Sequence, residues 1–360
     1  MRPAGRRRAG LEAGPLRPGS TASRWRDDPG AGRIGRGGGG AGDSPAARGT
    51  RSPGSDRWPD LEQPLPGRQS AAGAECRRGR LLRGFNPAAA RRDHRRPGTR
   101  GCRVMDDLEG RTILVTGSTS GIGRAVAREL AAAGANVLIH GRRAEAAAAV
   151  AAEIDALPHG TVGGSFLADL ATAEGCAQLV AAVGGERPEL DAVCLVAGAD
   201  TLTGDTAKLS FEDKLQLLYD IDIRSTLLLG RAFGRQLTDR GGSIVTIGWD
   251  QADLGMAGDS GELFAAVKGA VMAFTRSLAK SLAPAVRVNC VAPGWIRTAW
   301  GHQASREWQQ RAIGESLVGR WGEPEDIAAA VHWLVSPRAS FVTGQVLNIN
   351  GGFRTGPIGR

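Results

Sequence analysis

Thr116-Gly117-Ser118-Thr119-Ser120-Gly121-Ile122-Gly123 decides the fold of this chain. Ahead of it, Ile113-Leu114-Val115 is a short apolar run rich in β-branched residues, as a buried strand requires. Behind it, residues 124–133 are alanine-rich with apolar side chains at helical spacing. A strand, a glycine turn and a helix in that order make an anion site. The glycines let the backbone approach a pyrophosphate, and the helix N-terminus supplies free N–H groups and a partial positive charge. Glycines alone would read as an ordinary turn; the flanking strand and helix make them a nucleotide signature.

Working outward, strand-like runs fall at 112–116, 136–140, 164–166, 192–196, 243–247, 286–291 and 345–349. Helical patterns separate them at 121–133, 144–157, 172–183, 211–237, 262–282 and 325–335. Mostly apolar strands alternating with helices predict a parallel sheet covered on both faces. Right-handed crossovers and the first-turn glycines make this an α/β doubly wound fold with seven strands, ligands lying outside the strands' carboxyl ends.

Charge divides the chain. Of 46 basic and 37 acidic residues, residues 1–104 hold 23 arginines, no lysine and 9 acids. The remaining 23 basic and 28 acidic residues leave 105–360 mildly acidic and long enough for one well-buried α/β core. The first segment is rich in Arg, Gly and Pro, lacks apolar periodicity and is expected to be disordered. It has three readings: an arginine/glycine-rich nucleic-acid arm, a mitochondrial presequence, or a stretch ahead of a true start at Met105. Prolines and interspersed acids break any amphipathic presequence helix, and composition favours an inert tail or the Met105 start. No nucleic-acid or membrane partner is therefore expected. Five scattered cysteines (Cys76, Cys102, Cys176, Cys194, Cys290) show neither zinc spacing nor a disulfide framework, so a reducing cytoplasm and no metal are expected. No run of about 18 apolar residues could span a bilayer.

Further motifs follow in order: Asp169-Leu170 after a short strand, Ala197-Gly198 at the end of another, Phe264-Ala265-Ala266-Val267-Lys268 on a helix, and Asn289-Cys290-Val291-Ala292-Pro293-Gly294-Trp295-Ile296-Arg297-Thr298. Arg320-Trp321-Gly322-Glu323-Pro324-Glu325-Asp326 and Thr343-Gly344-Gln345 complete the set. With the G-x-x-x-G-x-G spacing of the first turn, these resemble the short-chain dehydrogenase/reductase family over about residues 108–352. The resemblance implies a nicotinamide coenzyme held by Gly117, Ser118, Ser120, Gly121, Ile122 and Gly123, by Asp169 and Leu170 at the adenine, by Ala197 and Gly198, by Lys268, and by Pro293, Gly294, Ile296 and Thr298. It also implies a homodimer or homotetramer built on the two long helices, and a small-molecule carbonyl or alcohol as substrate.

The second strand ends His140-Gly141-Arg142-Arg143, so a glycine stands where an NAD-preferring site places its carboxylate. Arg142 suits a 2′-phosphate, and NADP(H) is expected over NAD(H). Solvated surface arginines are the competing reading.

Catalytic positions depart from the family. Its reaction uses a tyrosine acid, a lysine one helical turn later, a serine and an asparagine. Here Phe264 occupies the tyrosine position, Ile247-Gly248-Trp249-Asp250 replaces the serine segment, and Asp222 stands for asparagine; Lys268 alone matches. Phenylalanine has no proton to give. Asp250 is the nearest candidate donor by sequence, and Asp222 is placed to pair with Lys268. The sole tyrosine, Tyr219, is expected to pack within its helix. Trp249, Trp295, Trp300, Trp308 and Trp321 flank the expected cleft, either as walls for a planar, apolar substrate or as core and interface packing.

Overall fold

A computed structural model describes residues 107–353 apart from 188. The expectations for residues 1–104, and with them Cys76 and Cys102, lie outside the described residues.

Strand β1 (Thr112–Thr116) runs into helix α1 (Gly121–Ala132), followed by β2 (Asn136–Gly141), α2 (Ala144–Asp155), β3 (Thr161–Leu167), α3 (Ala173–Glu186) and β4 (Leu190–Leu195). Next come α4 (Phe211–Leu218), a π-helical turn (Tyr219–Arg224), α5 (Ser225–Thr238), β5 (Gly242–Ile247), α6 (Asp259–Leu282) and β6 (Val286–Pro293). Two short helices, α7 (Ala299–Gln303) and α8 (Arg306–Glu315), precede α9 (Pro324–Val335) and β7 (Val346–Ile349). The strands form one parallel sheet in the order β3-β2-β1-β4-β5-β6-β7. Strand order reverses between β1 and β4, which opens a crevice at their carboxyl ends.

Both sheet faces are buried, so the strands read as continuous apolar runs rather than alternating ones. Ile113, Val115, Val137 and Ile139 point to the face covered by Val126 and Leu130 of α1, Val150 and Ile154 of α2, and Ile327 and Val331 of α9. Their neighbours Leu114 and Leu138, with Val193 and Ile244, meet Leu179 and Val183 of α3, Phe233 of α5 and Leu278 of α6 on the other. Period-two geometry splits each strand between two cores.

One expected element is not continuous. The periodic stretch 211–237 contains a π turn at Tyr219–Arg224 that separates α4 from α5. A π turn inserts one residue without breaking the apolar pattern, so periodicity cannot reveal it. It carries Asp222, and its physical reason is given by that side chain's partners below. Tyr219 is 46 % exposed, not packed as expected: it continues, at i, i+4 spacing, the exposed stripe of Phe211 and Leu215 on the preceding helix.

Candidate active site

The first turn and the end of β4 meet directly. Gly117 has φ of +65°, and a Cβ there would lie 2.7 Å from the Ala197 Cα, so only glycine fits. A Cβ on Gly123 would lie 2.1 Å from the Gly117 carbonyl oxygen, so the first turn of α1 folds back onto the loop that leads into it. Thr116 Oγ1 accepts the N–H groups of Val196 (3.0 Å) and Ala197 (3.1 Å), fixing the second segment against the first. Ser120 caps α1 without a side-chain hydrogen bond, and no acid occupies the first turn. The amino-end N–H groups around Ile122 and Gly123 therefore keep their capacity for an anion. Beside them, Gly121 and Thr298 line a cavity of about 210 Å³ with Arg124, Arg128, Arg297 and His302. A dinucleotide's pyrophosphate fits this cradle, and the bound nicotinamide would supply hydride chemistry. Pro293 and Gly294 leave β6 toward the same crevice, Gly294 packed so closely on Asn350 that a Cβ would lie 2.6 Å from it. Ile296 is 7 % exposed and bridges to Gly322.

Ser118 serves differently from its expected ligand role. It is fully buried, its hydroxyl accepts the His140 N–H (2.9 Å) and donates to the His140 carbonyl (3.2 Å). It anchors the turn to β2. His140 completes that anchor and was missed in the sequence; its signal was a polar residue ending the apolar run Val137-Leu138-Ile139. The Gly117 N–H donates to His140 Nδ1 (3.1 Å), while Nε2 lies 3.2 Å from the Ala168 carbonyl oxygen and so carries the proton. Burial pulls the imidazole down to about 4. A histidine lowered in the folded state stabilises fully above its unfolded pKa of roughly 6.5, and that stability is lost as pH falls through the window to 4. Asp250, raised by burial to about 6, works in the opposite sense over a similar range. Comparison with His140→Asn isolates the histidine, because the asparagine oxygen can still accept from Gly117. In urea unfolding, the stability advantage of the wild type over this variant is expected to shrink by about 2 kcal/mol between pH 7 and pH 5. A constant difference would mean that His140 titrates normally.

Downstream of His140, Gly141 is buried against the turn. A Cβ there would come 2.4 Å from Thr119 Cγ2, so a side chain at this position requires that of Thr119 to shift. Arg142 and Arg143 are exposed at the start of α2, and among the described residues neither forms an ion pair. Asp169 is exposed with Oδ1 accepting the Ala171 N–H (3.1 Å), while Leu170 is buried in the second core.

The catalytic positions converge at the ends of β4, β5 and α6. Asp222 is 1 % exposed; Oδ2 accepts the Ala199 N–H (2.8 Å) and Oδ1 lies 2.6 Å from Lys268 Nζ. The π turn aims this carboxylate inward, between the loop after β4 and the lysine. Lys268 Nζ also lies 3.4 Å from the Ile247 carbonyl, and a Cβ on Gly198 would sit 3.7 Å from it. Lys268 is thus held as part of an ion pair beside the expected ribose position. Phe264 packs edge-on to Trp249, ring centroids 6.1 Å apart and planes at 65°. Asp250 is 2 % exposed; Oδ2 accepts the Asn350 amide (3.0 Å), and Oδ1 is buried without a hydrogen bond among the described residues.

Four of the five tryptophans stack on one another, as the packing alternative expects. Trp295 lies 6.0, 5.3 and 6.4 Å from Trp300, Trp308 and Trp321, and Trp321 is 1 % exposed. The Arg311 guanidinium lies 4.7 Å over Trp308, and Trp295 Nε1 donates to Glu315 (2.7 Å). Residues 295–321 are therefore built around an aromatic core of their own, held by offset and edge-to-face ring contacts. Trp249 alone remains at the catalytic corner.

A glycine turn at a helix N-terminus, a strand-order reversal and a lysine at the crevice define a dinucleotide-binding doubly wound protein. The family described as enoyl-(acyl carrier protein) reductase matches residues 117–354, and the chain belongs to the short-chain dehydrogenases/reductases, a family of NAD(P)-dependent oxidoreductases. It is similar to the 3-oxoacyl-(acyl-carrier-protein) reductase FabG of Aquifex aeolicus, 36 % identical over 68 % of this chain and 98 % of that protein. Among solved structures it is similar to a Beutenbergia cavernae protein assigned as an NAD(P)-dependent gluconate 5-dehydrogenase, solved with NADP at low occupancy. That similarity has TM-score 0.62 and 34 % identity, covering 68 % of this chain and 97 % of that one. A 7α-hydroxysteroid dehydrogenase with NADH and a 7-oxo bile acid also matches, with TM-score 0.62 and 27 % identity over 69 % of this chain and 96 % of that one.

Proposed function

We propose that this protein is an NADP(H)-dependent oxidoreductase acting on a carbonyl or alcohol of a small, apolar or planar substrate, with a proton donor other than tyrosine. The observation that carries this reading is the complete coenzyme cradle around an ordered Lys268, beside a corner with no tyrosine hydroxyl. NADP(H) over NAD(H) is supported by Gly141, which carries no carboxylate, and by the exposed Arg142. Free, buried Cys176, Cys194 and Cys290 support a reducing cytoplasm. Among the described residues no helix is long and apolar enough to cross a membrane. Exposed Phe211, Leu215, Tyr219 and Leu228 along the α4–α5 stretch support a homodimer or homotetramer.

Asp250 is the proton donor of this reading, since burial raises its carboxyl to about 6 and keeps the acid form accessible near neutrality. Its acid form donates, so carbonyl reduction is expected to be fastest below pH 6 and to fall as pH rises through it. Asp250→Asn keeps an acceptor for Asn350 and removes the proton; NADPH oxidation with a reducible carbonyl is expected to slow by about 10²-fold. Unaltered kcat in that variant removes Asp250 from the role. The aromatic pair at the two hydroxyl positions favours a second reading, a catalytically silent NADP(H) sensor or scaffold. Calorimetric NADPH binding with no turnover of any carbonyl or alcohol would select it.

A further inference from the structure

Three of the four catalytic positions have changed, and all three changes act on the same physical quantity. Replacing tyrosine by Phe264 removes the group that would neutralise an alkoxide as a hydride reaches a carbonyl carbon. Putting Trp249 at the serine segment supplies an indole face, the aromatic surface that attracts cations most strongly. Placing Asp222 2.6 Å from Lys268 Nζ cancels the one positive charge that the corner would present to a ligand. The chain between and around the two rings adds to this. Residues 249–264 contain Asp250, Asp253, Asp259 and Glu262 and no Lys, Arg or His. Asp253, Asp259 and Glu262 are exposed, whereas Asp250 is buried with Oδ1 unpartnered among the described residues. A neutral carbonyl gains nothing from such surroundings. A cation gains from the aromatic pair and the acidic loop, and the lysine paired with Asp222 no longer opposes it.

We infer that the Trp249–Phe264 corner is built for a planar cationic ligand, and that the electrophile reduced there is an iminium ion. This rests on the oxidoreductase reading above, keeps its hydride chemistry, and replaces its neutral carbonyl by a cationic electrophile. The chemistry explains the missing acid. An iminium carbon accepts a hydride to form a C–H bond, the C=N π pair moves onto nitrogen as its lone pair, and a neutral amine results. The substrate is reduced, a reduced nicotinamide is the hydride donor oxidised, and no proton is transferred in the step. A ketone at the same place forms an alkoxide and needs a proton; where Asp250 serves as counter-ion and not as acid, such a reaction loses about 10²–10⁴ in rate. In this use Asp250 is a counter-ion, not a donor.

Binding tests the cation site without any coenzyme. The N,N-dimethyl tetrahydroisoquinolinium cation, which cannot be reduced, is expected to bind the coenzyme-free protein at least about tenfold more tightly than neutral tetralin, by calorimetry and tryptophan quenching. Trp249→Leu is expected to remove that preference. Turnover is then compared with NADPH between N-methyl dihydroisoquinolinium and α-tetralone, each corrected for the enzyme-free rate. The iminium is expected to react at least about 10²-fold faster, and Phe264→Tyr to shrink that ratio by tenfold or more by assisting the ketone. Equal or preferred ketone turnover, or equal binding of cation and neutral probe, overturns the iminium assignment and leaves the oxidoreductase reading standing. NADPH binding with neither substrate turned over defeats the oxidoreductase reading, and this inference with it.

Discussion

Gly123→Val is expected to weaken NADPH binding by more than about 100-fold, equivalent to about 2.7 kcal/mol. The new Cβ would start 2.1 Å from the Gly117 carbonyl oxygen, far inside van der Waals contact, and its neighbour is backbone that cannot rotate away. Relief requires α1 to withdraw from the turn, which pulls the N–H groups at its amino end off the pyrophosphate position. The same strain is expected to cost about 2–4 kcal/mol of folding stability. Gly269→Ala is the matched control. It lies within α6, no atom comes within 4 Å of the added carbon, and the helix gains from the exchange. Calorimetry on both variants, with urea unfolding alongside, separates lost affinity from lost fold. Wild-type affinity in Gly123→Val would show that the coenzyme does not rest on this turn.

Asp222→Ala is expected to destabilise the fold by about 3–5 kcal/mol, because it strands a charge whose partner has gone. Lys268 is only 12 % exposed at its side chain and Asp222 1 %, so water replaces little of what is lost. The Ala199 N–H also loses its acceptor. Asp222→Asn keeps that acceptor and nearly the same shape, and removes the charge alone. Both variants leave the Lys268 charge unpaired, so Asp222→Asn is expected to cost nearly as much in urea unfolding, the difference being the Ala199 hydrogen bond. Equal losses in the two variants would show that charge dominates over the hydrogen bond; negligible losses in both would show that the pair contributes nothing.

The fold was legible because burial on both faces of a parallel sheet leaves a strong local mark. β1 coincides with its expected limits, and β2, β5 and β6 lie within two residues of theirs. β3 was foreseen only as 164–166, because Gly163-Gly164 dilutes the strand signal of Thr161–Leu167. The segment 211–237 misled for a different reason: helical periodicity survives a π turn, so the reorientation of Asp222 leaves no trace in the apolar pattern. In the coenzyme cradle, the turn was readable from its glycines, whereas His140 was not, since nothing local says that an imidazole will reach a glycine N–H 23 residues away. Nor does anything local say that the Ser118 hydroxyl pairs with the His140 backbone.

By itself the sequence determined the nucleotide turn and the order of strands and helices, because each is written in residues adjacent along the chain. Tertiary structure alone decided that Asp222 meets Lys268, that Phe264 meets Trp249, and that four tryptophans fold onto one another. Those outcomes depend on which distant side chains share a buried volume. Composition and spacing do not encode that, since charge pairing and ring packing are settled only when separate elements are brought within a few ångströms.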